Sequence, residues 1–436
     1  MSIIHSHAPR FAMSGSVALV LVLFLATASH AETRMAVPSI FRTCSDALDH
    51  SSNSIIDNDG HRTVTVKLDG GRCAIDFRLE GKAEFNDDFT DIVSLSRDGS
   101  LRLDVKDDGE RRRLEIVPGS DDLVRTWSVN GRERAYDATA REWFAAFLVE
   151  LDRRTAIGVD QRLPVLLRKG GVAAVLGETG QMRSDYARGV YYSKLAAVTR
   201  LSSGDLVRVL GQAASMKTDD YYASELLKNL GARAGDDAGV RAAMLRLIQG
   251  MSGDYYRAES VKELVGKGRL DASEMDFVIG VMPTMKSDYY KTEVLKKIVA
   301  SGIVDPAQRK RLIALVPDIH EAAYAFEFVK ALTASGDAKP GEARALVDAA
   351  ATIGSDYYQY ESFAAILRGP KLVEGDLLAI VKAVAPSKSE HYKSETLRLV
   401  LAHRAVTDAV RHAALDAADG MSAYYREEIA RTLGRR

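Results

Sequence analysis

The stretch Met285-Lys286-Ser287-Asp288-Tyr289-Tyr290-Lys291-Thr292-Glu293-Val294-Leu295-Lys296-Lys297-Ile298 recurs along the C-terminal half of the chain. The spacing between the second tyrosines of successive copies is 34 residues five times and then 33. A period of this length over seven copies predicts a solenoid of stacked helix pairs. The second tyrosines are Tyr222, Tyr256, Tyr290, Tyr324, Tyr358, Tyr392 and Tyr425.

Each copy has the pattern of an amphipathic helix. Ser287 and Asp288 stand where a side-chain oxygen accepts hydrogen bonds from the first turn, and the aspartate also suits the positive end of the helix dipole. Apolar residues then recur at i, i+4, i+5 and i+8, which is one stripe of a 3.6-residue helix. The sequence around Ser184-Asp185-Tyr186 resembles a degenerate first copy. We therefore predict an α+β protein in which residues 184–436 form a right-handed α-solenoid of about seven to eight helix pairs.

The second helix of each repeat is marked by its ends. Asp305-Pro306 indicates an N-cap followed by proline at the first helical position. Four further aspartates are expected to act as caps of the same kind: Asp237, Asp271, Asp376 and Asp408. Four glycines fall between the two helices of a repeat, where a left-handed C-cap is expected: Gly231, Gly266, Gly302 and Gly336.

The first tyrosine of each pair shares a second helix face with the glutamate four residues later. A basic residue follows three places after that glutamate in every copy except one, where Ala364 stands. Repetition in register favours a structural role for this face, and the alternative is a row of binding positions along the solenoid. The copies at Glu321-Ala322-Ala323 and at His391 depart from the pattern. This indicates either a zone with a specialised role or random drift of the repeat sequence. The candidate binding residues are Tyr221, Glu225, Tyr255, Glu259, Tyr289, Glu293, Tyr357 and Glu361.

Residues 32–137 are predicted to form a β-meander domain. Alternating runs are separated by Asp107-Asp108-Gly109 and Asn130-Gly131, which are strong hairpin signals because these turns need positive φ. The helix over 139–154 is expected to cover the apolar face, within linking helices that span 138–183. For Arg111-Arg112-Arg113 we favour a solvated strand edge over an anion site.

The N-terminal segment 1–31 has the pattern of a signal peptide. Arg10 supplies positive charge, residues 17–26 are apolar, and Ser29-His30-Ala31 offers small residues at the cleavage positions, so we expect cleavage after Ala31. The apolar run is too short for a membrane span, which needs about 20 residues. The expected location is therefore periplasmic or secreted, and the mature chain is expected to have no integral membrane span.

The two cysteines, Cys44 and Cys73, are expected to form a disulfide in an oxidising compartment, with two buried thiols as the alternative. Lysines and arginines number 59 against 60 aspartates and glutamates. This balance carries no electrostatic signature of nucleic-acid binding.

Catalytic signatures are not found in the sequence. His320-Glu321-Ala322-Ala323-Tyr324 has a tyrosine where a zinc peptidase needs its second histidine. The nucleotide-binding loops are also missing from the sequence, and no G-x-S-x-G elbow occurs after residue 31. We therefore expect no enzyme activity, no catalytic residue, no cofactor and no metal site.

Two features together suggest a known family. They are the meander that leads through 127–131 into 136–143 (Tyr136-Asp137-Ala138-Thr139-Ala140-Arg141-Glu142-Trp143) and the run of Ser-Asp-Tyr repeats. Over about residues 60–436 the chain resembles the extracytoplasmic C-terminal regions of some antibiotic-sensing regulatory metallopeptidases and their stand-alone periplasmic relatives. The resemblance implies a bacterial envelope protein with a sensing or interaction role. It carries no peptidase activity, because His-Glu-x-x-His is absent from this sequence.

The expected function is that of a non-enzymatic interaction or sensing protein, which binds a protein or envelope partner through its helical repeats. One alternative is an enzyme or accessory domain with a site in the β domain. The other is a structural module that associates with itself through its end repeats, for which the polarity of the last helix, 427–433, is the discriminating feature.

Overall fold

The computed structural model describes residues 52–58, 61–69, 73–216, 220–231, 237–266, 270–335, 341–369 and 371–434. The predicted signal peptide and Cys44 lie outside these ranges. Cys73 is buried at the start of a strand, and its disulfide with Cys44 stays a prediction.

An antiparallel sheet forms the N-terminal part, as predicted. In the part of the chain that the structure describes, seven strands pair in the order β1-β2-β3-β6-β7-β8-β9, and β4 pairs with β5 in a separate hairpin. The turns at Asp108-Gly109 and Asn130-Gly131 have positive φ at both residues, which confirms the hairpins expected there. The strands are β1 Ser52–Asn58, β2 His61–Asp69, β3 Cys73–Glu80, β4 Ala83–Phe85, β5 Ile92–Leu95, β6 Ser100–Asp107, β7 Glu110–Pro118, β8 Leu123–Val129 and β9 Arg132–Arg134.

Alternate residues of the central strands build the core of the sheet. Phe77, Leu103 and Leu114 lie side by side in register and are buried. Helix α1, Ala138–Thr155, covers this face with Phe144 and Phe147. The expected covering helix is thereby confirmed.

The interpretation of Arg111-Arg112-Arg113 as a strand edge is wrong. Strand β7 lies inside the sheet, between β6 and β8. Arg111 and Arg113 project from the open face and both pair with Asp104. Arg112 alternates to the other face, where its guanidinium lies 5.5 Å from the ring centroid of Trp143. Cross-strand ion pairing therefore accounts for two of these basic residues.

Helices α1 to α17 follow the sheet. Helix α2, Val159–Thr179, is bent at Gly170 and Gly171, whose φ/ψ values of −160°/21° and 60°/−152° interrupt the helical backbone. The remaining helices are α2 Val159–Thr179, α3 Asp185–Val198, α4 Ser203–Ala213, α5 Asp220–Gly231, α6 Ala238–Gly250, α7 Asp254–Gly266, α8 Ala272–Val281, α9 Asp288–Ala300, α10 Pro306–Ala314, α11 Ala322–Ala334, α12 Glu342–Ala350, α13 Asp356–Arg368, α14 Glu374–Val384, α15 Glu390–Ala402, α16 Asp408–Ala418 and α17 Ala423–Gly434.

The helices from α3 onward form a repeat array. Odd-numbered helices contact the next odd-numbered helix along one layer, and even-numbered helices do the same along the other. Within the described residues, α3 to α16 are seven helix pairs and α17 closes the array. The predicted stripe is buried, with Val294, Leu295 and Ile298 fully inaccessible in α9. The helical-repeat prediction is thus confirmed.

Some predicted helix ends are correct and others are not. Asp305, Asp237 and Asp271 cap their helices as expected. The caps of α14 and α16 are instead Val373 and Thr407, and Asp376 bonds back to the Val373 N–H from the third helical position. Of the glycines, Gly302 has a positive φ of 69°, whereas Gly231 and Gly266 are the last residues of their helices. Gly336 lies outside the described residues.

None of the helices in the described ranges combines the length and the hydropathy of a membrane span.

Candidate interaction surface of the repeats

The predicted surface residues lie on the outer side of the odd-numbered helices. The four first tyrosines of the prediction are each 43–49% exposed: Tyr221, Tyr255, Tyr289 and Tyr357. Tyr186 and Tyr424 are exposed at the same position of the first and last helices of the array. We call the surface made by these first tyrosines and by the glutamates four residues after them the tyrosine face.

Ring contacts run along the tyrosine face in a zigzag. Tyr221 contacts Tyr222 of its own helix at 5.0 Å between centroids and Tyr256 of the next repeat at 6.2 Å. The pattern continues from Tyr255 to Tyr290 at 5.7 Å and from Tyr289 to Tyr324 at 5.8 Å. These pairs meet edge to face, an arrangement that stabilises by about 0.5–1.5 kcal/mol. Each first tyrosine therefore covers the second tyrosine of the following repeat and keeps its other side in solvent.

The glutamates of the tyrosine face form the i,i+3 ion pairs that the spacing predicts. Examples are Glu225–Lys228 at 2.8 Å, Glu259–Lys262 at 2.6 Å and Glu293–Lys296 at 3.0 Å. The side chains in these pairs are 28–53% exposed. Exposed pairs of this kind contribute at most about 1 kcal/mol. These ion pairs therefore contribute little to the stability of the fold.

The serine and aspartate of the motif have separate roles, which the sequence did not reveal. Ser287 caps its own helix by accepting a bond from the Tyr290 N–H. The carboxylate of Asp288 reaches into the next repeat, where it accepts bonds from the N–H groups of His320 and Glu321 at 2.8 and 2.9 Å. The aspartate thus joins neighbouring repeats.

A further joint lies three residues after the aspartate. Lys291 donates a bond at 2.8 Å to the carbonyl of Asp318, in the turn before the next odd-numbered helix. Lys393, which follows Glu390, donates at 2.8 Å to the carbonyl of Ala385, in the turn before its own helix. Arg257 donates to the carbonyl of Met251 in the same way. These long side chains lie buried between the helices, so they are structural rather than part of the exposed face.

The tyrosine face is interrupted at α11. Ala322 replaces the linking aspartate and Ala323 replaces the first tyrosine. Phe326, one turn further along, contacts Tyr358 of the next repeat at 6.0 Å, and the ammonium of Lys330 lies 5.6 Å from the Phe326 ring centroid. At the other departure, His391 takes the tyrosine's place and lies 6.4 Å from Tyr425.

A buried ionic cluster joins α1, α2 and α3. Arg162 bridges Asp152 at 2.9 Å and Glu178 at 2.8 Å, and the Tyr191 hydroxyl donates to Asp152 at 2.6 Å. Burial alone would raise the pKa of Glu178, but bonds from Arg153 and the charge of Arg162 lower it. Burial, and then the charge of Asp152, raise the pKa of Tyr191. Because the members of this cluster are buried and bond one another, they fit a structural joint better than a reactive centre.

Among the described residues of the sheet domain, two of the cavities are large enough to consider as sites. One, of about 390 Å³, lies between the β4–β5 hairpin and the start of α2, with Phe85, Phe89 and Gln161 in its wall. The other, of about 490 Å³, lies on the open face of the sheet among Arg78, Arg102 and neighbouring polar residues. Neither includes Trp127 or Trp143, which contact each other at 5.2 Å beneath the sheet.

His320, the first residue of the incomplete zinc motif, is 85% exposed. Within the part of the chain that the structure describes, no three His, Cys, Asp or Glu side chains are grouped to hold a metal ion.

No family model and no curated protein matches the chain. Among solved structures, a chain described as "Computational Design of Self-Assembling Cyclic Protein Homooligomers" is similar over 63% of this chain and 92% of that chain, at 10% identity and a TM-score of 0.13. A TM-score of this size carries no argument about fold or function. The resemblance to the regulatory metallopeptidases stays a prediction.

Proposed function

We propose that this protein is a non-enzymatic interaction or sensing protein of the periplasm or the secreted fraction, and that it binds a protein partner of the cell envelope through the tyrosine face. The observation that carries the proposal is the row of half-exposed first tyrosines, one in nearly every repeat. Tyrosine is enriched among residues that dominate binding energy, and its ring is ordered at low entropic cost.

The exposed half of each first tyrosine gives binding a source of free energy. The inner half already covers the next repeat, so the fold gains little from the outer half. Covering it with a partner contributes about 25 cal/mol for each Å² of apolar surface removed from water. Repetition multiplies this gain along one extended surface, which is how repeat proteins bind.

The ion pairs beside the tyrosines suit a recognition surface. Because an exposed pair such as Glu259–Lys262 contributes so little to stability, its members can pair with a partner's charges at small cost to the fold. Charges at the rim of an interface mainly set specificity and association rate. The face therefore combines aromatic anchors with adjustable charges.

The last helix argues against end-to-end association. In α17, Ile429 is buried against the array, whereas Arg426, Glu427 and Arg431 are exposed. A charged outer side is expected of a terminal repeat that closes a stack.

Site-specific photo-crosslinking tests the proposal. A benzophenone amino acid would replace Tyr255 or Tyr289 in the full-length protein, produced in its own cells. The matched control carries the same group at Leu415, which is 39% exposed on an even-numbered helix. We expect a discrete crosslinked envelope protein from the two tyrosine positions and none from Leu415. Equal products from all three positions, or none from any, would contradict the proposal. Recovery of the exported chain beginning at Glu32 tests the predicted location.

A further inference from the structure

Four first tyrosines follow one another without a break on the tyrosine face. They lie on consecutive odd-numbered helices, α3, α5, α7 and α9, and each is 40–49% exposed: Tyr186, Tyr221, Tyr255 and Tyr289. The series ends at α11, where Ala323 takes the tyrosine's place. We call these four residues the tyrosine run. Among the described repeats, it is the longest stretch that offers the same exposed ring in every repeat.

The hydroxyl groups of the tyrosine run have no partner inside the described part of the protein. None of the four takes part in a hydrogen bond there, whereas the Tyr424 hydroxyl donates to Glu428 at 3.3 Å. A phenol hydroxyl can donate to a carbonyl oxygen while its ring covers apolar surface. Each repeat of the run therefore offers a partner one aromatic surface and one hydrogen-bond donor.

The spacing of the run limits the kind of chain that can lie along it. Tyr256 lies 6.2 Å from Tyr221 and 5.0 Å from Tyr255, so the rings of these two first tyrosines cannot be further apart than the two distances together. Tyr290 joins Tyr255 to Tyr289 in the same way, at 5.7 and 5.0 Å. The rings therefore recur at a spacing close to the roughly 8–10 Å that separates helices packed side by side.

A polyproline II helix matches both this spacing and the free donors. It places every third residue on the same side, about 9 Å further along, and its backbone carbonyls make no internal hydrogen bonds. In an extended strand every third residue points to the opposite side. In an α-helix about seven residues cover a similar distance, but the main-chain carbonyls are already bonded within the helix. Aromatic-lined surfaces are a recurring recognition site for polyproline II segments.

We propose that the tyrosine run binds a proline-rich segment of the partner in the polyproline II conformation. Every third proline ring of that segment packs on the exposed half of one first tyrosine, and the tyrosine hydroxyl donates to a carbonyl of the segment. Four tyrosines at this spacing match about ten residues, since three turns of the helix separate the first contact from the last. This inference rests on the proposed function and adds the conformation and composition of the segment that the partner presents.

Peptide binding to the full-length mature protein tests the inference. The probe is fluorescein-labelled decaproline, followed by anisotropy. One control peptide of the same length contains only glycine and serine, which form a flexible chain. A second control is an alanine-rich helical peptide with leucine at every seventh position. We expect saturable binding of decaproline and at least tenfold weaker binding of either control peptide.

Protein variants locate the site. Tyr255→Phe keeps the ring and its contact with Tyr290 but removes the donor, so decaproline should bind at least threefold more weakly. Tyr255→Ala removes the ring as well and should weaken binding at least tenfold. The matched control is Tyr357→Phe, because Tyr357 is 43% exposed but has Ala323 and His391 at the neighbouring first-tyrosine positions. This control should leave binding unchanged, and circular dichroism checks that each variant folds.

Three results would overturn the inference: no saturable binding up to millimolar decaproline, equal binding of a control peptide, or no loss of affinity in Tyr255→Phe beyond that in Tyr357→Phe. If crosslinks form at Tyr255 and Tyr289 while decaproline fails to bind, the proposed function stands and only the conformation of the partner's segment is wrong. If decaproline binds but no crosslinked envelope protein is found, the preference for polyproline II is supported and the proposed partner is wrong.

Discussion

The carboxylate of Asp254 lies 2.6 Å from the backbone nitrogen of Ser287, 33 residues further along the chain. The same oxygen accepts a bond from the Lys286 N–H at 2.7 Å. Equivalent bonds are donated by the backbone N–H groups of Gly253 to Asp220, of Glu321 to Asp288, of Ser389 to Asp356 and of Ser422 to Glu390. One carboxylate therefore satisfies the free N–H groups that precede the first helix of the next repeat.

Replacing Asp254 with alanine should loosen this joint. Two N–H groups lose their acceptor, and the loss of a capping bond costs about 1–2 kcal/mol. We expect the free energy of unfolding in urea to fall by this amount and the amides of Lys286 and Ser287 to exchange faster with deuterium. Asp348→Ala, which removes an exposed i,i+4 pair, is the control and should change stability by less than about 0.5 kcal/mol.

The converse substitution can be made in α11, where Ala322 stands in place of the linking aspartate. Ala322→Asp places a carboxylate before α13, and adding a cap commonly stabilises by about 0.5–2 kcal/mol. We expect a higher melting temperature and slower amide exchange at Gly354 and Ser355. Ala430→Asp adds the same charge on α17 without a cap to complete. An equal rise in both variants would mean that charge, and not the joint, is responsible.

The buried ionic cluster should be sensitive to the loss of any one member. Asp152→Ala leaves Arg162 with one counter-ion fewer, and breaking a buried pair costs about 3–5 kcal/mol. Tyr191→Phe removes one hydrogen bond and should cost about 1–1.5 kcal/mol. Urea unfolding measures both, with exposed Arg344→Ala as the control. If Asp152→Ala were as mild as the control, the cluster would not be a structural joint.

Acid should weaken the same cluster. The pKa of Glu178 in the folded protein lies below its ordinary value of 4.5, so the unfolded chain takes up the proton first as pH falls. The stabilisation from ionised Glu178 is complete above its unfolded pKa and is lost as pH falls through the lower, folded pKa. We expect stability to decline with acid below about pH 4.5 and Glu178→Gln to flatten part of that decline. An unchanged slope in this variant would contradict the assignment.

Helices α3 and α5 approach each other closely at Gly189, where there is no room for a side chain. A Cβ added at Gly189 would lie 2.6 Å from both Cβ and Cγ of Tyr222. Overpacking of this kind costs about 1–3 kcal/mol, which exceeds the gain of up to about 1 kcal/mol in helix propensity. Gly189→Ala should therefore lower the melting temperature. Gly177→Ala, in α2 with no atom within 4 Å of the added carbon, should leave it unchanged or raise it.

The repeat architecture was predictable because its signals are local and periodic. The stripe through Val294, Leu295 and Ile298 and the i,i+3 pairs depend on spacing within one helix, which the sequence displays directly. The hairpin turns were predictable for the same reason, since Asn130-Gly131 encodes its own backbone geometry. Strands β1 and β4 were missed because they are short or lack clear alternation.

The contacts between distant segments could not be predicted. Nothing near Asp254 in the chain indicates that its carboxylate serves an amide one repeat away. The cluster of Asp152, Arg162, Glu178 and Tyr191 comes from three helices at unrelated spacings. The place of β7 inside the sheet depends on strand order, which Arg111-Arg112-Arg113 does not encode. For the candidate surface, the sequence indicated which residues share a face, and the structure added which rings touch and where the row is interrupted.

Helix α1 belongs to both parts of the molecule, since it covers the sheet and also contacts α3, while α2 contacts α4. A fragment that begins at α3 would expose the apolar side of the first repeat to solvent. A fragment that ends before α1 would expose the apolar face of the sheet. Truncated fragments should therefore be designed to keep 138–179 on whichever piece is to stay in solution.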